Sequence, residues 1–304
     1  MEISVVVPTL NGRDRLATAL DALSAVAPNV EVIVVNGPSA DGTTGMVRDR
    51  DDVDVLVEIA ARNVNVARNA GLEVANGDAI AFLGYDHELE PGWREAVEEA
   101  FARGASVVTG PLRRTVRGGA TSDGLERRRI ADREVSYFNG RNVVFARHVL
   151  EELDGFDEYL ETGGARDAAH RLAGMDVDVT WRGDVAARRP TEATDGGIER
   201  RDLGWKYRAL AYRLTKNYGL RPTVLRRTIG HAVGDAADAM RDVLGGDATP
   251  TSWARNGRDV VGGISTGASD GLVARARDRS PKRNPNGVTA RADRAVARYD
   301  RRTD

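Results

Sequence analysis

The sequence predicts an α/β fold built on a doubly wound, mostly parallel sheet. Three observations predict it. Short β-branched runs alternate with stretches of helical spacing from Ile3 to Thr109, a pattern that calls for helices on both faces of a parallel sheet. Polar, turn-forming residues gather directly after the first, second and fourth strand candidates, where open sheets of this kind bind ligands. The chain has no cysteine, so disulfides, thiolate zinc sites and cysteine nucleophiles are excluded and a reducing compartment is favoured.

The elements follow in order. Ile3 to Val7 and Val30 to Val35 read as buried strands, joined by a helix whose Leu16, Ala19, Leu20 and Leu23 share one face. A strand over Val53 to Ile59, an amphipathic stretch over Ala67 to Ala75 and the apolar run Ala79 to Leu83 continue the alternation. Pro91-Gly92-Trp93 opens a further helix, and Ala105 to Thr109 reads as a strand. After an Arg-rich polar stretch, strands are expected at Asn139 to Phe145 and Val177 to Trp181, with a helix at Gly164 to Ala173. The first domain is expected to close at residue 190, and 191–304 to form a helical, basic extension whose last thirty or so residues are partly disordered.

Charge is nearly balanced, at a net -2, and the basic side is almost all Arg, since only Lys206, Lys216 and Lys282 are lysines. The balance and the lack of a recognised module argue against nucleic acid as a partner. The start carries no basic, then apolar, leader pattern, and no run reaches the ~18 apolar residues of a membrane span. A cytoplasmic protein, at most peripheral on the cytoplasmic face of the cell membrane, is therefore expected. Between Trp205 and Arg227, Lys206, Arg208, Arg213, Lys216, Arg221, Arg226 and Arg227 occur with no Asp or Glu, beside Tyr207, Tyr212 and Tyr218. That mixture suits an interfacial helix on anionic lipid.

Four segments in order resemble the inverting family-2 glycosyltransferases over roughly residues 1 to 185. They are Ser4-Val5-Val6-Val7-Pro8-Thr9-Leu10-Asn11, Val34 through Thr43, Ala67-Arg68-Asn69-Ala70-Gly71-Leu72 leading to Phe82-Leu83-Gly84-Tyr85-Asp86, and Asn142 to Phe145 with Leu153-Asp154-Gly155-Phe156-Asp157-Glu158. The likeness extends to haloarchaeal members that act on lipid-linked glycans of surface-layer glycoproteins. It implies a GT-A, Rossmann-like catalytic domain, a nucleotide-sugar donor with UDP the first expectation, and a glycan or lipid-linked acceptor, such as a dolichol-phosphate-linked oligosaccharide in protein N-glycosylation.

The resemblance also implies roles for individual residues. Pro8, Thr9, Asn11 and Asn36 fall at nucleoside positions, with Asn36 where the family usually carries Asp. Arg68 falls near the base or phosphates. Tyr85 and Asp86 fall at the donor's diphosphate, where Asp86 is the expected ligand of a divalent ion, Mn²⁺ or Mg²⁺. The family's Asp-x-Asp is reduced here to one carboxylate, with Gly84 at the first position and His87 following, so His87 is either a second ligand or a phosphate or sugar contact. An ion there would act as a Lewis acid on the departing diphosphate. For the acceptor hydroxyl, Asp167 is the expected base, with Asp157 and Glu158 as alternatives, because Gly164 and Ala165 stand at two acidic positions of the family's motif. Those losses keep open a catalytically silent, glycan-binding or scaffolding protein; a nucleotidyltransferase is the third reading.

Overall fold

The structure is a computed structural model, which describes residues 1–114, 124–190, 203–223, 226, 230 and 250–303. An eight-stranded sheet runs in the order β11-β6-β10-β4-β1-β2-β3-β13. Its centre is β4 (Ala79–Leu83), β1 (Ile3–Thr9), β2 (Glu31–Asn36) and β3 (Val55–Ile59), all parallel. The apolar residues of β1, β2 and β4 are almost all buried, which is why these strands read as continuous β-branched runs rather than as alternation. Beside β4, β10 (Asn142–Ala146) runs antiparallel to both β4 and β6 (Val107–Thr109), and β11 (Thr180–Trp181) closes that edge. A second sheet joins β5 (Glu88–Leu89), β12 (Ala187–Arg189) and β7 (Leu112–Arg114), and β8 (Glu126–Ile130) pairs with β9 (Arg133–Tyr137).

The helices of this part are α1 (Arg13–Val26), α2 (Thr43–Arg48), α3 (Val64–Val74), α4 (Trp93–Ala102), α5 (Arg147–Leu153) and α6 (Gly164–Leu172). Helix α3 starts where the Asn63 side chain accepts a hydrogen bond from Asn65 N at 2.8 Å, satisfying one of the free donors of its first turn. Its Gly71 is a packing residue, because a Cβ there would lie 2.3 Å from Val6 Cγ1. Helix and sheet thus approach more closely than any larger side chain allows, which offsets the cost of glycine within a helix.

Two compact units result: one of residues 1–127, 136–194 and 286–304, the other of 128–135 and 195–285. The first unit leaves the chain close to the expected boundary at 190, but the stretch expected to be disordered returns to it. Residues Ala295–Asp300 form β13, antiparallel to β3. Arg294, buried, donates to Glu158 and Glu73 and, at 2.9 Å, to Gly287 O. Asp154 accepts from both Thr289 N and Thr289 Oγ1, at 2.8 and 2.7 Å. The exposed, Arg-rich composition that suggested disorder is that of a charged edge strand.

In the second unit, α7 (Leu203–Tyr218) packs along α8 (Pro250–Arg277). Gly263, Gly267 and Gly271 form a stripe at every fourth position of α8, and Cβ atoms there would lie 2.2, 2.1 and 2.7 Å from the carbonyl oxygens of Gly204, Arg208 and Tyr212. The backbones therefore touch. Of the residues expected to form a lipid-facing helix, Tyr207, Tyr212, Leu214 and Tyr218 are buried, as are Arg213 and Lys216, while Lys206, Arg221 and Arg226 are exposed and Arg208 pairs with Asp270 at 3.0 Å. Arg227 lies outside the described residues. Among the described residues no helix is long and apolar enough to cross a membrane.

Candidate functional site

The parallel register puts Thr9, the last residue of β1, opposite Asn36, the last of β2, so these two predicted nucleoside residues share one end of the sheet. Asn36 is buried and braces its loop. Its Nδ2 donates to Thr44 Oγ1 at 3.0 Å and its Oδ1 accepts from Ser39 Oγ at 2.7 Å; the amide oxygen retains a second lone pair for a ligand. Asn11, at a left-handed φ of 51°, ties the two loops together, donating from N to Ser39 Oγ and accepting from Ala40 N, each at 2.8 Å. Asp41 accepts from Arg13 N and Thr43 N; although burial opposes ionisation, these bonds and that of the Thr43 hydroxyl hold its carboxyl below the usual range. Asp41 is therefore a turn residue. Pro8 is half-buried beside them.

Thr9 differs from its neighbours, because its Oγ1 is buried with no hydrogen-bond partner among the described residues. An unmet buried hydroxyl costs roughly 1–3 kcal/mol, so a ligand that supplies the missing bond gains by it. The Tyr85 ring stands over the same turn: a Cβ on Gly12 would lie 2.5 Å from its Cδ2 and 3.1 Å from Thr9 Oγ1. Glycine at position 12 is what lets this ring close over the end of β1.

Beyond β4, Asp86 is buried in a ring of cations. Its Oδ1 is 2.7 Å from His87 Nδ1 and its Oδ2 is 2.8 Å from Arg189 Nε of β12. Burial alone would raise its pKa, but the His87 hydrogen bond and the charges of His87, Arg189 and Arg141 outweigh it and hold the carboxyl at about 2. The sheet register sets Asn142 opposite Leu83, so Arg141 abuts Gly84, whose N donates to Arg141 O at 2.9 Å. Arg68 of α3 completes the group. It donates to Asn65 Oδ1 and Gly140 O at 3.0 and 2.8 Å, lies over the Phe156 ring, and keeps a buried Nε without a partner. Its pKa is pushed down to about 10 by burial and by the like charge of Arg141.

Asp86 and His87, the residues expected to hold a divalent ion, lie side by side. Both Asp86 oxygens are engaged, the imidazole Nδ1 faces the carboxylate, and among the described residues no three His, Cys, Asp or Glu side chains gather as a metal site. Each carboxylate oxygen keeps a further lone pair, so Asp86 could hold such an ion together with substrate phosphates and water.

The expected bases are also committed elsewhere. Asp167 and Arg171 are buried together on α6, with Oδ2 2.8 Å from Nε, and Arg171 donates onward to Leu153 O and Gly155 O at 2.7 and 2.9 Å. Asp167 thus fastens α6 to the end of α5 through Arg171. Asp157 is buried and accepts from Tyr159 N and Asn286 Nδ2 at 3.0 and 3.1 Å. Glu158 is held by Arg291, Arg294 and Asn69. Asn65 and Asn69 of α3 grip this loop, Asn65 through Leu160 O at 2.6 Å and Asn69 through Phe156 O and Phe156 N, each at 2.8 Å.

Sequence reasoning did not single out Arg141 or Arg189 as donor-site residues. Arg141 is marked only by its place before a strand, and Arg189 reaches Asp86 through a pairing between distant segments. His170, at the far end of the Asp167 helix, is buried with its Nε2 3.4 Å from Tyr137 Oη, so it too is inside rather than at an open surface.

A mixed sheet with a parallel core, a nucleoside-type loop after β2 and a charged turn after β4 define a GT-A fold, the architecture of nucleotide-sugar-dependent transferases. Residues 4–152 match the family model described as glycosyl transferase family 2. Glycosyltransferase AglE of Haloferax volcanii is 27% identical over 210 residues, covering 62% of this chain and 66% of AglE. The succinoglycan biosynthesis protein ExoO of Rhizobium meliloti is 35% identical over 115 residues, or 36% of this chain and 33% of ExoO. The chain thus spans between a third and two thirds of these relatives. Among solved structures, residues 1-349 of S. aureus TarS in complex with UDP-GlcNAc align with a TM-score of 0.60 at 15% identity, over 93% of this chain and 90% of that one. The mannosyltransferase PcManGT of Pyrobaculum calidifontis, in complex with GDP-Man and Mn²⁺, aligns with a TM-score of 0.55 at 18% identity, over 92% and 88%. At such identities the likeness is one of fold.

Proposed function

We propose that the protein transfers a sugar from a nucleoside-diphosphate sugar, with UDP as the first nucleotide to test, to an acceptor hydroxyl with inversion. The observation that carries this reading is the buried, unpartnered Thr9 hydroxyl at the joined ends of β1 and β2, an unmet hydrogen bond where a nucleoside would lie. In the reaction the acceptor oxygen bonds to the anomeric carbon, the bond from that carbon to the diphosphate breaks with its electron pair going to the phosphate oxygen, and the hydroxyl proton passes to a base. Glu161 suits that last task. Among the carboxylates from Asp154 to Asp167 it is the one that is exposed and, among the described residues, without a partner.

The resemblance to haloarchaeal transferases and the family-2 relatives support a lipid-linked oligosaccharide as acceptor, and with it a place at the cytoplasmic face of the membrane. Asp86 would hold a divalent ion, if one is bound, and such an ion would supply Lewis-acid stabilisation of the departing diphosphate.

The commitment of Asp157, Glu158 and Asp167 to structural bonds favours a second reading, a silent transferase fold that binds a glycan or nucleotide without turnover. The test is nucleotide release from UDP-, GDP- and CDP-sugars with glycan and lipid-linked acceptors. Release that depends on acceptor supports transfer, binding without release supports the silent protein, and pyrophosphate as the product would reassign the chain as a nucleotidyltransferase.

A further inference from the structure

We propose that Glu58 and Thr44 are positioning residues that fix which end of the Asn36 amide meets the donor's base. The site then selects bases that offer a ring N–H at that point, as uracil and guanine do, over cytosine. The inference rests on the nucleotide-sugar reading and adds to it how the base is chosen.

One directed chain of hydrogen bonds crosses this end of the sheet. Asn11 N donates to Ser39 Oγ at 2.8 Å, and Ser39 Oγ to Asn36 Oδ1 at 2.7 Å. From there Asn36 Nδ2 donates to Thr44 Oγ1 at 3.0 Å, and Thr44 Oγ1 to Glu58 Oε1 at 2.7 Å. The strand register assembles it, because Asn36 at the end of β2 stands opposite Glu58 of β3 on one side and Thr9 of β1 on the other.

The direction is decided at the Glu58 end. A carboxylate only accepts, and the Thr44 hydroxyl has a single proton, which goes to Glu58. Toward Asn36 that hydroxyl can therefore only accept, so the amide must turn its nitrogen to Thr44 and its oxygen away. The Ser39 hydroxyl gives its proton to Oδ1 but has a lone pair with which it could meet an amide N–H instead; it follows the amide rather than fixing it. Among the described residues Glu58 forms no ion pair, so its carboxylate serves this chain.

Orientation matters because the two ends of an amide are alike in shape and opposite in hydrogen bonding. Held as it is, Asn36 keeps a second lone pair on Oδ1, beside the unpartnered hydroxyl of Thr9. Uracil N3–H and guanine N1–H supply a proton to such an acceptor. Cytosine N3 brings a lone pair against a lone pair. Asn36 is buried, and at low dielectric such a mismatch costs more than it does in water.

The test is calorimetric titration of the full chain with UDP, GDP and CDP, which share ribose and diphosphate and differ in the base. Wild type should bind UDP or GDP ~10-fold or more tightly than CDP. Glu58→Val frees the Thr44 proton and Thr44→Val removes the acceptor, so in each the amide can turn over, and the preference for UDP over CDP should fall to about 3-fold or less. Thr44→Ser keeps the hydroxyl and should keep the wild-type preference. Thr44→Val, nearly isosteric, carries the test should Glu58→Val fail to fold. A merely structural role would weaken UDP and CDP equally; that result, or a wild type that binds CDP as tightly as UDP and GDP, overturns the positioning role and leaves the nucleotide-sugar reading standing. Failure of all three nucleotides to bind overturns that reading, and the base selection with it.

Discussion

Arg171 Nε lies 2.8 Å from Asp167 Oδ2, and neither side chain is exposed. Breaking such a pair by removing one charge strands the other in a low-dielectric interior, at about 3–5 kcal/mol. Asp167→Asn should therefore lower the midpoint of urea unfolding markedly. A variant as stable as wild type that nonetheless loses turnover would support the role of base for this residue.

Glu161→Gln is the corresponding test of chemistry. Since the side chain is exposed in the loop before α6, stability and UDP affinity should be unchanged while turnover falls by ~10²-fold or more, the effect of losing a general base. Turnover equal to wild type removes Glu161 from the reaction.

The Asp86 carboxyl is held at about 2 against an ordinary 3.8. A lowered pKa in the folded state means that the charged form is the stabilised one. Its contribution, about 2 kcal/mol, is fully present above the unfolded value and is lost as the pH falls from 3.8 toward 2. Thermal unfolding followed through that window should show a shallower acid limb for Asp86→Asn than for wild type. Parallel curves would mean that the His87 and Arg189 contacts do not act on this group.

Thr9→Val removes a hydroxyl that has no partner among the described residues. The substitution should leave stability unchanged or slightly raised, and weaken UDP by about 10-fold. Equal affinity of the two proteins for UDP would place the nucleoside away from β1.

Two glycines of α8 should respond in opposite directions. A Cβ on Gly267 meets Arg208 O at 2.1 Å, whereas one on Gly262 has nothing within 4 Å. Gly267→Ala should destabilise by about 1–3 kcal/mol through forced separation of the helices, and Gly262→Ala should be neutral or stabilise by up to ~1 kcal/mol through helix propensity. Circular dichroism melts of both variants decide it.

The central strands were legible because burial on both faces leaves a direct mark, the β-branched runs at Ile3 to Val7 and Ala79 to Leu83. Helix α8 was not, since its contact face is drawn in glycine rather than leucine, and a search for apolar periodicity passes over it. Strand β13 has an exposed composition because it is an edge, and nothing in Ala295–Asp300 names β3 as its partner. At the site, loop segments and their order were readable from motif residues such as Thr9, Asn36 and Asp86. The direction in which a charged side chain spends its charge was not. Asp167 and Arg171 stand four apart on a helix, a spacing equally suited to a solvated surface pair, and only the packing of α5 and α6 makes them internal.

The return of the chain to β3 has a consequence for biosynthesis. Everything between Asp195 and Pro285 must leave the ribosome before β13 can be laid against a sheet whose other strands were made much earlier. Until then β3 is an open edge, and the loop carrying Asp154 and Glu158 lacks Thr289, Arg291 and Arg294 to fasten it. A nascent chain therefore passes through a stage with β1 to β4 made and this loop unsecured, so completion of the unit waits on residues 286–304.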